Sequence, residues 1–239
     1  MGRGRWRAAR VRDFAIAVGR FRVTTGVASA PDPVRVTVAL ERGTESKVRQ
    51  LLADTRAALE AHARRFGPYP WTTFTTVASN MDRFSWEYPT LVFQSANAPD
   101  PGGGIAHEVG HQWFYSLVGN NQARDPWLDE ALATWAQARL SNDVGALVAQ
   151  AIPEDVRNQL GQPMSVWDRF GIPVFIDGAY TQGVQALASL GDPDVVDCAL
   201  RHYVRQNAYE IATPDDLLDA LRTFFPDARP RLEAYGARF

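Results

Sequence analysis

The sequence predicts an α+β fold in which a β-rich N-terminal half gives way to an all-helical C-terminal half. Three observations carry this. Apolar residues alternate with period two early in the chain, as in "PVRVTVALE", where Val34, Val36, Val38 and Leu40 share one face of a strand. A breaker-rich loop, "SANAPDPGGG", then interrupts the chain at residues 95–104. Beyond it, apolar positions recur at helical spacing and helix-start signals replace strand signals.

The elements follow in order. "FAIAV", residues 14–18, reads as the first strand. Five arginines precede it, but five apolar residues before Gly19 are too few for a leader's hydrophobic region, and no small-residue cleavage site follows. Residues 33–41 form the next strand. "TESKVRQLLADTRAALEAHARRF" is a helix with Val48, Leu51, Leu52, Leu59 and Phe66 at helical spacing, stopped by Gly67-Pro68. "TTFTTVAS" and "WEYPTLVFQS" are β-branched and aromatic and read as two strands, with Pro89 marking a bulge or edge position in the second. A helix carrying His107 is expected from near Gly104 to near Gly119. The next, "DPWLDEALATWAQARLS", has Asp125 as N-cap and Pro126 at its first position. Later helices start at Asp192-Pro193 and at "TPDD", where Thr213 caps and Pro214 leads. A cleft between two such halves is a natural place for a site.

Bulk properties narrow the function. The 239 residues suffice for one large domain or two small lobes with a proper core. The formal net charge of −2 gives no footing for a nucleic acid or an anionic membrane. Cys198 is the only cysteine, which excludes an internal disulfide and a thiolate zinc cluster. That fits a reducing compartment and equally a cysteine-poor secreted protein. No segment approaches the roughly 20 apolar residues a membrane-spanning helix needs.

The chemistry concentrates in "GGGIAHEVGHQWFYSLVGN", residues 102–120. Four residues on a helix advance about 400°, so His107 and His111 lie one turn apart on nearly one face and can meet one ion at about 2.0–2.1 Å. Glu108 lies about 100° round from His107, close to that ion but to its side, which suits a base acting on metal-bound water. A catalytic zinc usually takes a third protein ligand, and Glu130 is the candidate, on the next helix with eighteen residues between it and His111. Its bulky neighbours Trp127, Leu128, Leu132 and Trp135 pack that helix into the core, where a carboxylate needs compensation. Taken alone, Glu130 reads equally as a solvated first-turn carboxylate favoured by the helix dipole. Asp129, Thr134 and Gln137 are nearby candidates for the second hydrogen bond of a liganding histidine. His62 and His202 have no partner at ligand spacing and read as helix-face residues.

"HEVGHQWF" followed by "WLDEALATW" resembles the aminopeptidase N family of zinc metallopeptidases, within the gluzincins. Weaker matches extend the resemblance over nearly the whole chain: "VRDFAIAVGRF", "FGPYPW" and "AYTQGVQALASL". The resemblance implies a thermolysin-like, two-lobed catalytic domain with a mixed sheet and one zinc ion held by His107, His111 and Glu130. Glu108 is then the general base. Tyr180, in the family's Y-x-K-G helix start, is the donor to the oxyanion, with Gln182 where that motif has lysine. Glu87, in "FSWEYPTLVF", matches the glutamate of the family's G-x-M-E-N strand, which holds a substrate's free α-amino group; Ser85, Trp86 and Tyr88 depart from that pattern.

The implied activity is release of N-terminal residues from peptides. A zinc endopeptidase or other metallohydrolase with a diverged amine site stays open, as does a non-catalytic scaffold that kept the fold. The resemblance also implies a longer parent. On this reading residues 1–30 are a remnant of the join to a preceding β-domain, and 31–239 are the catalytic domain. Its β-rich lobe covers about 31–100 and its helical lobe about 101–239.

Overall fold

The computed structural model describes residues 8–41, 48–80, 85–96 and 101–239. Strands β1 (Phe21–Ser29) and β2 (Pro33–Glu41) pair antiparallel, Thr25 facing Thr37. Helix α1 (Val48–Phe66) then crosses over to β3 (Thr73–Ser79), which runs parallel to β2, as a parallel pair requires. The alternation in β2 is realised: Val34, Val36, Val38 and Leu40 are buried in one core with Leu51, Ala58, Leu59 and Phe66 of α1. Each such aliphatic side chain contributes about 1.5–3 kcal/mol on full burial. Gly67 ends α1 at φ +110°, a conformation L-residues with a side chain rarely adopt. Strands β4 (Trp86–Tyr88) and β5 (Leu91–Ser95) complete a mixed sheet in the order β1-β2-β3-β5-β4.

Two strand expectations are corrected. Residues 14–18 form no strand, because the β1–β2 register begins at Phe21 opposite Glu41 and the apolar run lies beyond it. The stretch "WEYPTLVFQS" is not one strand with a bulge but a hairpin, Tyr88 pairing with Leu91 across Pro89-Thr90. Thr90 turns the chain at φ +64°. A glutamine far along the sequence fixes this turn. The Gln112 amide accepts from the Thr90 N–H (2.8 Å) and donates to the Tyr88 carbonyl (3.1 Å).

The helical half begins with α2 (Pro101–Gly110), followed by α3 (Trp127–Ser141), α4 (Val144–Ala149), α5 (Met164–Phe170) and α6 (Ile172–Phe175). A π-helical turn, Ile176–Thr181, leads into α7 (Gln182–Ala188), then α8 (Pro193–Asn207), α9 (Pro214–Arg222) and α10 (Ala228–Glu233). Asp192 caps α8 by accepting from the Asp194 N–H, and Thr213 and Asp216 form a reciprocal capping box on α9. The helix carrying His107 ends at Gly110, not near Gly119. Ser116, Leu117 and Val118 donate five residues back, to the carbonyls of His111, Gln112 and Trp113, so the turns widen. Gly119 then bridges to Ile211. Asp125 does not cap α3 with its side chain; Arg124 Nε holds that carboxylate at 2.7 Å, and only the Asp125 carbonyl receives the Leu128 N–H.

Candidate metal centre and active site

The site forms where α2 and α3 touch. A Cβ on Gly110 would stand 3.2 Å from the Ala133 Cα, so the glycine permits a backbone-to-backbone approach. Beneath α2, His62 of α1 bonds the Ala106 carbonyl through Nε2 at 2.9 Å. These two contacts fix the face on which His107 sits. His111 follows one turn on, its N–H donating to the His107 carbonyl at 3.2 Å. Glu130 enters from the first turn of α3.

Three donor atoms converge. His107 Nε2 lies 3.1 Å from Glu130 Oε2, His111 Nε2 lies 3.4 Å from the same oxygen, and the two nitrogens are 3.0 Å apart. Ligands at about 2.0–2.1 Å from one ion at tetrahedral angles stand about 3.3–3.4 Å from each other. The triangle fits such an ion, and its two-imidazole, one-carboxylate composition suits zinc. The far nitrogens are also engaged. His111 Nδ1 donates to the Phe114 carbonyl at 3.2 Å, which leaves the Nε2 lone pair free. His107 Nδ1 stands 3.5 Å from the Thr134 hydroxyl, itself donating to the Glu130 carbonyl at 2.6 Å.

Electrostatics separate the carboxylates. Burial would raise Glu130, but hydrogen bonds from His107 and His111 outweigh it and hold the group below the usual carboxylate range. Glu108 is pushed well above that range by burial, with the His111 charge opposing. It is 7% exposed, and its Oε2 has no hydrogen-bond partner among the described residues. Oxygens of Glu87 and Glu108 and a ring nitrogen of His111 lie within 4.8 Å of one another. Glu87, half-buried on the outermost strand β4, therefore faces the centre.

Tyr180 stacks on the His107 ring, centroids 5.5 Å apart and planes 9° from parallel. Burial and then the Glu130 charge raise its hydroxyl well above the ordinary tyrosine value. The π-helical turn carries it, a distortion common at functional positions. Gln182 accepts from the Asn158 N–H at 2.7 Å and donates to the Gly178 carbonyl at 3.1 Å, tying a neighbouring loop to that turn.

All six residues singled out in the sequence (His107, Glu108, His111, Glu130, Tyr180 and Glu87) thus gather at one centre. Sequence reasoning missed Gln112 and Gln122. The first holds the β4–β5 turn, and the second bonds both Glu87 and Asp129. Nothing in a single sequence marks what a glutamine bonds.

Comparison with known proteins fits this geometry. The family model described as the peptidase family M1 domain matches residues 103–229. The chain belongs to peptidase family M1. This M1 chain is 28% identical to human aminopeptidase RNPEPL1 over 197 residues, covering 72% of this chain and 27% of that protein. It is 28% identical to human aminopeptidase B over 192 residues, 70% of this chain and 30% of that protein. Among solved structures, an M1 zinc metallopeptidase from Deinococcus radiodurans superposes with a TM-score of 0.69 at 20% identity, over 92% of this chain and 52% of that one. That likeness shows the shared fold, a mixed sheet followed by helices. The M1 chain spans about half the length of that solved chain and under a third of these curated relatives. Among the described residues no helix is long and apolar enough to cross a membrane.

Proposed function

We propose that this M1 chain is a zinc-dependent metallopeptidase domain that hydrolyses peptide bonds and releases residues from the free amino terminus of its substrate. One observation carries the reading: a buried carboxylate with an unpartnered oxygen, Glu108, beside a triangle of two imidazoles and one carboxylate. Folding alone has no use for that oxygen, since burying it without a partner costs about 1–3 kcal/mol. The names of the relatives, aminopeptidases, and of the solved neighbour, a zinc metallopeptidase, support the same reading.

His107, His111 and Glu130 would hold one zinc ion. When bound, zinc supplies Lewis acidity, polarising a carbonyl oxygen and making water acidic near neutral pH. Glu108 takes the proton from the water whose oxygen bonds the carbonyl carbon, then delivers it to the nitrogen as the C–N bond breaks. Tyr180, kept protonated by burial, donates to the developing oxyanion. Glu87 accepts from the substrate's α-ammonium group.

Metal analysis with a panel of aminoacyl substrates tests the reading. The Glu108→Ala variant should retain zinc and lose hydrolysis by about 10²–10⁴-fold. Residual activity equal to wild type would instead mean a scaffold. N-acetylating a peptide substrate should block its cleavage; unchanged cleavage would mean that Glu87 reads no amine and that the site is an endopeptidase's.

A further inference from the structure

We propose that Gln122 is a positioning residue that aims Glu87 at the substrate's amino group while leaving the Glu87 charge unspent. The inference rests on the aminopeptidase reading above and adds a residue to it. Glu87 lies on a three-residue strand at the sheet edge, paired on one side only, opposite Val92. Such a short edge strand does not by itself fix the direction of a carboxylate. Gln122 Nε2 supplies the missing constraint, donating to Glu87 Oε1 at 3.2 Å and to Asp129 Oδ2 at 2.8 Å. Asp129 is buried, and its other oxygen accepts the Glu130 N–H at 3.0 Å. One chain of hydrogen bonds therefore runs from the backbone of the candidate ligand Glu130, through Asp129 and Gln122, to Glu87.

The turn that carries Gln122 is itself closed. Asn121 accepts the Arg124 and Asp125 N–H groups through its carbonyl, at 2.9 and 2.7 Å, and Asn120 Nδ2 donates to the Asp125 carbonyl at 3.1 Å. An amide at this place differs from a cation in one decisive way. Lysine or arginine would satisfy the same two carboxylates and also neutralise them, leaving little attraction for an incoming ammonium. Glutamine orients Glu87 with a neutral donor, so a ligand's ammonium finds a charge still to be matched.

The test compares affinities of the zinc-loaded chain for L-leucine hydroxamate and N-acetyl-L-leucine hydroxamate, both anchored by the hydroxamate. Wild type should prefer the free amine. Gln122→Ala should cut that preference about tenfold, leaving zinc content and affinity for the acetylated ligand unchanged to within about twofold. Gln122→Lys should abolish the preference although it keeps a side chain of similar length. If Gln122→Ala retains the wild-type preference, or weakens both ligands equally, Gln122 is not a positioning residue and the inference falls alone. If wild type binds both hydroxamates equally, Glu87 reads no amine, and the inference falls together with the aminopeptidase reading.

Discussion

His62 should make this protein acid-labile by an amount that its surroundings set. The ring is fully buried on α1, between Phe66 and Trp113, with centroids 5.9 Å from each. The Ala106 carbonyl can only accept, so Nε2 carries the proton, and Nδ1 has no hydrogen-bond partner among the described residues. Protonation must place a charge on that nitrogen in a dry, aromatic pocket. Burial accordingly lowers the His62 pKa from 6.5 to about 4. The unfolded chain takes up the proton near pH 6.5 and the folded one only near pH 4, so this contribution to stability is full above 6.5 and is lost as pH falls towards 4. That difference corresponds to about 3 kcal/mol, most of which is gone by pH 4.5. The perturbation is His62→Gln, which keeps a donor for Ala106 and removes the ionisable ring. Urea unfolding of both metal-free proteins at pH 8 and pH 4.5 reads the difference. Wild type should lose about 2–3 kcal/mol more than the variant across that interval. Parallel losses would refute the reasoning.

Three further outcomes follow from the same geometry. Tyr180→Phe should keep zinc and lower kcat by about 10²–10³-fold in steady-state assays, as expected for removal of one oxyanion donor. Thr134→Val should weaken zinc about tenfold in a chelator competition, because the hydroxyl beside His107 Nδ1 is lost. Asp197 accepts from Trp135 Nε1 at 2.8 Å and pairs with Arg139 and Arg65 at 2.9 and 3.3 Å. Asp197→Ala strands all three donors and should cost about 3 kcal/mol, a fall of about 6–12 °C in Tm with zinc content unchanged.

Local signals in the sequence carried much of the fold and failed where the deciding partner is remote. Period-two alternation found β2, and Asp192 and Thr213 announced α8 and α9 because caps act within one turn. The i, i+4 spacing put His107 and His111 on one face for the same reason, and their nitrogens stand 3.0 Å apart. Glu130 was another matter. Taken alone it is open between site and solvent; the company of His107, Glu108 and His111 favours the site, and the family resemblance agrees. The hairpin at 86–95 reads as one strand in the sequence because its turn is held by Gln112, more than twenty positions away. The end of α2 is hidden for a similar cause: Gly119 leaves the helical path to pair with residues near Ile211. Asp125 shows competition at short range, its carboxylate taken by Arg124 before it could cap.

The π-helical turn at Ile176–Thr181 works as a phase adjuster. Six residues are wound there in a wider coil than an α-helix uses, so α6 and α7 are offset in rotation. Each residue is worth about 100° of twist. Deleting a single residue from this turn would let it relax to ordinary pitch and swing Tyr180 about a quarter turn off the His107 ring, although no side chain at the centre had been changed.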